Sequence, residues 1–350
     1  MQAVIYPKPN EIIVGDVPIQ KPAAGEALVK IRTSTICGTD LKILAGKFPG
    51  TRFPHIPGHE WSGEVVDIGQ NVVDLEVGDR VGNEPHVGCG FCPRCLEGLY
   101  NLCFNYGKTE LGHAHIGFTT NGGLAEYCTC SIKALHRLPA SMSYDEGAFT
   151  ESVGVALYAL ERARVDPGDN IAILGPGAIG LVAVQIAKRA KGASKVVLIG
   201  TREERLKMGL DLGADYVLSS NSSEDLVRDA VQILGGNGFD VVAEFAGTEE
   251  AAKQAIQLTR RGGRVVLAGS TSPGKNLNVD LSLIVRGHLD IFGSLANPKW
   301  ICEKGVSLVA SGFVNVKPLM SGDYKLEQYK EALDAFQRRS GGSYRVMIHP

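Results

Sequence analysis

The sequence contains no stretch of eighteen uninterrupted apolar residues, so no membrane-spanning helix is expected. It also lacks a charge excess: 36 Lys and Arg stand against 38 Asp and Glu, a formal net charge of −2. A balance this close to neutral supplies no basic footprint for nucleic acid or for an anionic lipid surface. The opening residues, MQAVIYPKPNEIIV, have neither the basic segment nor the long apolar core of an export signal, so a soluble, cytoplasmic protein is expected. Low-complexity tracts and internal repeats are absent too. At 350 residues and 44% apolar content, the chain can fill the cores of two domains.

Cysteine, by contrast, is plentiful. Of eight cysteines, four fall in CGFCPRCLEGLYNLC, as Cys89, Cys92, Cys95 and Cys103. Without an export signal, such clustering favours metal over disulfides. Four thiolates close a tetrahedral shell around zinc and leave no open position, which marks a structural site; four unrelated buried thiols, or an iron–sulfur centre of similar spacing, are the alternatives. Gly90 and Pro93 suit the tight knuckles between ligands.

Two textures follow one another along the chain. Up to about residue 140, short β-like runs (EALVKIRTSTIC, WSGEVVDIG, GLAEYCTC) alternate with Gly and Pro punctuation, as in a rolled or barrel-like antiparallel domain. A helix is expected over Asp145–Arg164. Beyond it come six short apolar runs, at Ile171–Leu174, Lys195–Ile199, Tyr216–Leu218, Asp240–Phe245, Arg264–Ala268 and Leu289–Phe292. Helical patterns separate most of them, at Ile179–Lys191, Glu203–Leu212, Glu224–Leu234 and Glu249–Thr259. Strands alternating with helices predict a doubly wound parallel sheet. We therefore expect an α/β protein with domains at 1–152 (holding a metal lobe at 86–105), 153–292, and a return to the first domain over 293–350.

Within NIAILGPGAIGLVAVQIAKRA, Gly175, Gly177 and Gly180 lie after a strand and ahead of an amphipathic helix. Gly175 permits the tight turn, Gly177 lets the backbone approach a pyrophosphate, and Gly180 allows close helix–sheet contact. The helix start offers unpaired N–H groups to the phosphates. Gly175, Pro176, Gly177, Ala178, Ile179 and Gly180 are thus candidate dinucleotide contacts. Scattered elsewhere are Cys37 in TICGTDLK, His59 and Glu60 in IPGHEWSGEV, and Glu151 in AFTESVGVAL. One thiolate, one imidazole and a carboxylate are what an open, catalytic zinc requires. Singly, each reads equally as a core cysteine, a capping histidine or a solvated acid, and no spacing rule gathers them.

Taken in order, CGTDLK, PGHEWSGEVVDIG, VGDRV, the four-cysteine lobe and GPGAIG resemble the zinc-dependent medium-chain alcohol dehydrogenase superfamily over essentially the whole chain. GHE and FTES resemble its sorbitol, polyol and threonine dehydrogenase branch. The resemblance implies a GroES-like antiparallel β catalytic domain joined to a six-stranded Rossmann domain, and two Zn²⁺ per chain. It implies that Cys37 and His59 bind the catalytic ion directly, that Glu60 and Glu151 supply the remaining carboxylates, and that Thr39 passes the substrate proton onward. Asp40 would hold the metal shell from outside. Two departures stand out: Ser152 replaces a proline common after the second glutamate, and Lys42 stands where relatives often place a relay histidine. The implied substrate is a small secondary alcohol or ketone, of polyol, sugar alcohol, cyclitol or amino alcohol type. His55, His86, His113 and His115 are polar candidates for its pocket, with His86 matching a pocket histidine of threonine dehydrogenases. The implied assembly is a homodimer or homotetramer formed through the nucleotide-domain sheets. A zinc-free quinone or enoyl reductase would lack both the lobe and GHE, and a non-enzymatic dinucleotide-binding or zinc-ribbon module would carry more than Arg94 around its cysteines.

One expected residue is missing. In dinucleotide folds an acid ends the second strand and binds the ribose 2′-hydroxyl. Aligned with the family, that position is Gly200, followed by Thr201 and Arg202 in KVVLIGTREERL. Losing the carboxylate removes its repulsion of a 2′-phosphate. Thr201 can donate a hydrogen bond, Arg202 offers a planar fork, and Arg205 adds a second charge. NADP(H) is therefore expected over NAD(H), with Glu203 as the group that could restore a hydroxyl contact in the NAD(H) alternative.

Overall fold

The computed structural model describes residues 1–270, 274–338 and 344–350. The chain forms two compact units. One comprises Met1–Glu151, Asn297–Ala310 and Val316–Pro350; the other comprises Ser152–Ala296 and Ser311–Asn315. The short Ser311–Asn315 piece joins the second unit through a buried amide: Gln185 Nε2 donates to the Asn315 carbonyl (3.1 Å), and the Asn315 N–H returns a bond to Gln185 Oε1 (2.7 Å).

The first unit is built on a seven-stranded sheet. Its order is Met320–Lys325, Arg345–His349, Glu26–Ile36, Trp61–Ile68, Arg80–Asn83 and Leu135–Arg137, with Tyr127–Ser131 pairing the early half of Glu26–Ile36. All pairings are antiparallel except the outermost, Met320–Lys325 with Arg345–His349. The period-two pattern explains the long third strand: Ala27, Val29 and Ile31 are buried, while Arg32 is exposed. They pack against Trp61, Val65, Val81, Cys128, Cys130 and Leu135. Cys128 and Cys130, two apart on one strand, are therefore core residues.

The second unit is a six-stranded parallel sheet in the order Tyr216–Ser219, Lys195–Gly200, Asn170–Leu174, Phe239–Glu244, Thr259–Leu267 and Asp290–Gly293. The apolar runs of its central strands are buried throughout, as strands covered by helices on both faces must be. Strand order reverses beside Asn170–Leu174, which is where such sheets open a crevice for a ligand. The glycine loop follows directly at that strand's carboxyl end.

Two expectations need correction. The single helix anticipated over Asp145–Arg164 is broken into Tyr144–Gly147 and Thr150–Arg162. The break is made by Thr150, whose hydroxyl donates to the Gly147 carbonyl (2.7 Å) in place of a continuing backbone bond, and Phe149 is buried beside it. The helix anticipated over Ile179–Lys191 is α-helical only over Ala178–Gln185 and finishes as a wider π turn, Ile186–Ala190.

The final strand is anchored at its end by a charged clamp. His349 lies 2.6 Å from Asp323 through Nδ1 and 2.9 Å from Asp145 through Nε2, and Thr33 donates to the same Asp145 oxygen (2.6 Å). The Asp145 hydrogen bond, helped by Asp323, raises the imidazole above its ordinary value of 6.5. The folded protein then binds this proton more tightly than the unfolded chain does. The stabilisation is complete below about pH 6.5 and fades as pH rises through the folded value. We expect His349→Gln to lower Tm by about 1–3 °C more at pH 6 than at pH 8.5. Differential scanning calorimetry at the two pH values measures this; equal losses at both would show that the clamp carries no proton-linked stability.

Candidate active site

The four lobe cysteines converge, their sulfur atoms all lying within 4.8 Å of one another. Cys89 Sγ is 3.9 Å from Cys95 Sγ, and Cys92 Sγ is 3.9 Å from Cys103 Sγ. A regular tetrahedron with metal–sulfur bonds of about 2.3 Å has edges of roughly 3.8 Å, which these two separations match, so the four thiols fit zinc. Asn105 braces it as donors to thiolate do: its side-chain amide points to Cys89 Sγ (3.3 Å) and its backbone N–H to Cys103 Sγ (3.4 Å). At Cys89 burial works to raise the thiol, yet Asn105 and the backbone N–H groups of Phe91 and Cys92 outweigh it and bring it down to about 6.

The second cluster assembles Cys37, His59 and Glu60, with one ligand atom of each within 4.8 Å of the others. Cys37 closes the Glu26–Ile36 strand and caps the Gly38–Leu44 helix. Its N–H donates to Asp40 Oδ2 (2.8 Å), while Asp40 Oδ1 lies 3.4 Å from His59 Nδ1. One fully buried carboxylate thus accepts from the thiol residue's backbone and lies against the imidazole, while Nε2 faces Glu60 (4.0 Å). Burial disfavours charge on His59, but Asp40 and Cys37 outweigh it and hold the ring well above 6.5. The field here favours a cation, and with sulfur, nitrogen and oxygen donors converging, the residues fit zinc.

The loop carrying His59 approaches its neighbours closely because position 58 is glycine. Its φ is +98°, and a Cβ there would come within 2.6 Å of the Leu124 nitrogen. Asn83 Nδ2 then holds the His59 carbonyl (2.7 Å), and the Thr35 N–H holds that of Glu60 (2.9 Å). The Glu60 side chain is buried and doubly held: Thr35 Oγ1 donates to one oxygen, and Arg345 Nη2 donates to the other at 2.7 Å. Glu151 is not part of the three-residue group. It sits next to Glu60, where burial and then the Glu60 charge push its carboxyl up to about 7. Thr39 Oγ1 is 4.0 Å from Cys37 Sγ and half-buried.

A wall of rings leads away from His59. Phe118 lies 4.4 Å from it, His115 stacks on Phe118 at 3.7 Å, and His86 is 3.7 Å from His115 (centroid distances). Burial lowers both imidazoles, His86 to about 3, so these rings stay neutral. His115 Nδ1 bonds Tyr106 (2.6 Å), but His115 Nε2 and His86 Nδ1 are buried without a partner among the described residues. His113 lies behind Tyr106 and accepts from the Gly107 N–H (3.1 Å). His55 is apart from this wall, bonded to the Gly117 carbonyl (3.0 Å) and lining a separate cavity beside the N-terminal hairpin.

In the second unit, the glycine loop leaves open space at a helix start, the shape a phosphate cradle needs. Gly175 (φ +100°) lies so close to Ala246 that a Cβ would be 2.7 Å from its nitrogen, whereas nothing stands within 4 Å of the missing side chain of Gly177. Gly177 caps the Ala178–Gln185 helix, so open space faces a helix start. Gly200 ends the neighbouring strand, and Arg202 caps the Glu203–Asp211 helix. Thr201 and Arg202 are exposed, and Arg205 lies in that helix's first turn.

Sequence reasoning missed Thr35, Asn83, Phe118 and Arg345. Thr35 stood two residues before a candidate ligand, a strand-register signal that could have been read. Nothing in the sequence around Arg345 points to a residue 285 positions away.

Residues 23–140 match the family described as alcohol dehydrogenase GroES-like domain, and residues 178–311 match zinc-binding dehydrogenase. An L-threonine 3-dehydrogenase of Pyrococcus furiosus is 34% identical, with 99% of each chain covered. A sorbitol dehydrogenase of Bacillus subtilis is 31% identical over 100% of this chain and 97% of that one. A Sinorhizobium meliloti structure described as a zinc-binding dehydrogenase bound to NADP superposes with a TM-score of 0.91 at 31% identity, covering 100% of this chain and 99% of the other.

The Asp40 geometry generates a test. Asp40→Asn keeps an oxygen for the Cys37 N–H but removes the charge beside His59. Metal affinity at the Cys37 site should fall about 10- to 100-fold while the lobe keeps its ion. Elemental analysis after dialysis against graded chelator should show one of two metal equivalents lost earlier than in wild type. Simultaneous loss of both, or no change, would contradict this role for Asp40.

Proposed function

The chain belongs to the zinc-binding dehydrogenases that carry an alcohol dehydrogenase GroES-like domain, and from that premise we propose that it transfers hydride between NADP(H) and a small secondary alcohol or its ketone. The observation that carries this reading is the convergence of Cys37, His59 and Glu60 around a point where the field favours a cation. Bound there, zinc supplies a Lewis acid that makes an alcohol oxygen acidic at neutral pH, and the dinucleotide supplies the hydride acceptor. Cys37 and His59 hold the ion, Glu60 is the carboxylate ligand, and Glu151 stands beside it as the second carboxylate. Asp40 fixes the His59 ring, and the half-buried Thr39 hydroxyl takes up the alcohol proton and passes it outward. The lobe cysteines hold the second zinc, whose closed shell serves structure.

A substrate with polar groups next to its carbinol suits the wall of rings, because His86 Nδ1 and His115 Nε2 each need a partner. A polyol, sugar alcohol, cyclitol or amino alcohol would provide one. For the assembly we read the edge strand Asp290–Gly293, with Leu281 and Val285 of the preceding helix 71% and 76% exposed, as the pairing surface of a homo-oligomer. No helix among the described residues is long and apolar enough to cross a membrane.

For the cofactor, no carboxylate stands at position 200 to repel a 2′-phosphate, and the Arg202 side chain is exposed. A charge-assisted contact from Arg202 is worth roughly tenfold to a hundredfold in affinity. Wild type should show higher kcat/KM with NADP(H) than with NAD(H) in a panel of polyols and amino alcohols, and Arg202→Ala should reduce that ratio by roughly ten- to a hundredfold. Equal or better use of NAD(H), unmoved by Arg202→Ala, would overturn the cofactor assignment; exclusive turnover of primary aliphatic alcohols would overturn the substrate class.

A further inference from the structure

Gly200 is missing more than a carboxylate. A Cβ built on it would lie 2.3 Å from Cδ and 2.4 Å from Cγ of Pro176, the second residue of the glycine loop. The backbone of Gly200 is not in the left-handed region, so conformation alone does not call for glycine here. The demand is steric, and it comes from a rigid ring with no rotamer to retreat into.

Pro176 cannot yield by moving the loop. The Gly175 N–H is bonded to the Ile199 carbonyl at 2.9 Å. On its other side, the Gly175 α-carbon has no room, since its absent Cβ would meet Ala246. The third glycine closes the wedge, because a Cβ at Gly180 would be 2.1 Å from the Gly175 carbonyl oxygen. Pressure from position 200 would therefore pass through Pro176 to Gly177, whose neighbourhood is the open cradle at the helix start.

We propose that Pro176 is a specificity-determining residue: by filling the volume that a side chain at position 200 needs, it bars the acid-dependent mode of ribose recognition. The inference rests on the NADP(H) reading for its consequence, but its steric core stands separately. Restoring an acid at position 200 alone does not convert the cofactor site; it disrupts the cradle for either dinucleotide. The Pro176 Cβ, at 3.6 Å from the built Cβ, is in ordinary contact, so an alanine at position 176 removes both clashing atoms and leaves the rest.

The test measures dissociation constants of NADPH and NADH by nicotinamide fluorescence, with melting curves alongside. Gly200→Ala and Gly200→Asp should each weaken both nucleotides by tenfold or more. Measured against Pro176→Ala as its own baseline, adding Gly200→Ala should cost each nucleotide no more than about threefold, against the tenfold or more that it costs beside Pro176. The Pro176→Ala, Gly200→Asp pair should bind NADH more tightly than NADPH. A Gly200→Ala chain that is insoluble but recovered as folded protein by Pro176→Ala supports the same conclusion. Undiminished binding in Gly200→Ala, or an equal loss on adding it to Pro176→Ala, would overturn the proposal. A wild type that prefers NADH overturns the NADP(H) reading instead, whatever the rescue shows.

Discussion

The buried pair of Glu60 and Arg345 is the interaction on which the catalytic unit depends. The site gathers the Cys37 thiol and the acids Asp40, Glu60 and Glu151 in a region largely closed to water, and like charges so placed cannot all persist without a counter-charge. Arg345 provides one fixed cation, 2.7 Å from Glu60 Oε1, and a metal held by Cys37, His59 and Glu60 would provide another. The pair also fastens the last strand of the chain to the loop that carries His59. Such pairs add little net stability over an apolar substitute, yet leaving one member alone typically costs 3–5 kcal/mol. Arg345 therefore makes an acid-rich metal site compatible with a folded core.

The two candidate metal centres are bound to each other through consecutive residues. Asn83 ends the Arg80–Asn83 strand and grips the His59 carbonyl (2.7 Å). Glu84, next in the chain, accepts from Tyr100, which lies within the cysteine lobe, at 2.5 Å. Burial pushes the Glu84 carboxyl well above its usual range, despite the Tyr100 hydroxyl and the His86 N–H that it accepts from. The lobe's fold therefore reaches the open site through a strand end rather than through shared ligands. A metal with no chemistry of its own can in this way still matter to the geometry of the other.

Much of this was legible in the sequence, and the limits are physical. The six parallel strands could be read because each is a short apolar run set among helical patterns, and the central ones are covered on both faces, a pattern that needs no partner to interpret. The four-cysteine lobe could be read because its ligands are adjacent and their chemistry is narrow. Cys37, His59 and Glu60 could be nominated only by resemblance, since nothing local distinguishes a buried ligand from a buried core residue. Arg345, Phe118 and the Asp40 bridge were illegible because their meaning lies in pairings across the sheet, not in any neighbour along the chain. The break at Ala148 and Phe149 was missed for a smaller reason: one threonine hydroxyl replaces a backbone bond, and helix periodicity runs straight through it. Gly200 was noticed for the charge it lacks, while the steric demand of Pro176 became visible only in three dimensions.

The placement of Arg345–His349 between Met320–Lys325 and Glu26–Ile36 has a consequence for biosynthesis. The stretch of Glu26–Ile36 leading into Cys37 pairs on that side with residues 346–348. Arg345 follows Glu60 by 285 residues. At about 5–20 residues per second, roughly a quarter of a minute to a minute separates their synthesis. Through that interval the ribosome carries a catalytic unit with an unpaired strand edge and an acidic pocket that lacks its arginine. The parallel sheet, continuous in sequence, can finish while the older unit waits. The part of the molecule that is made first is therefore the part that matures last.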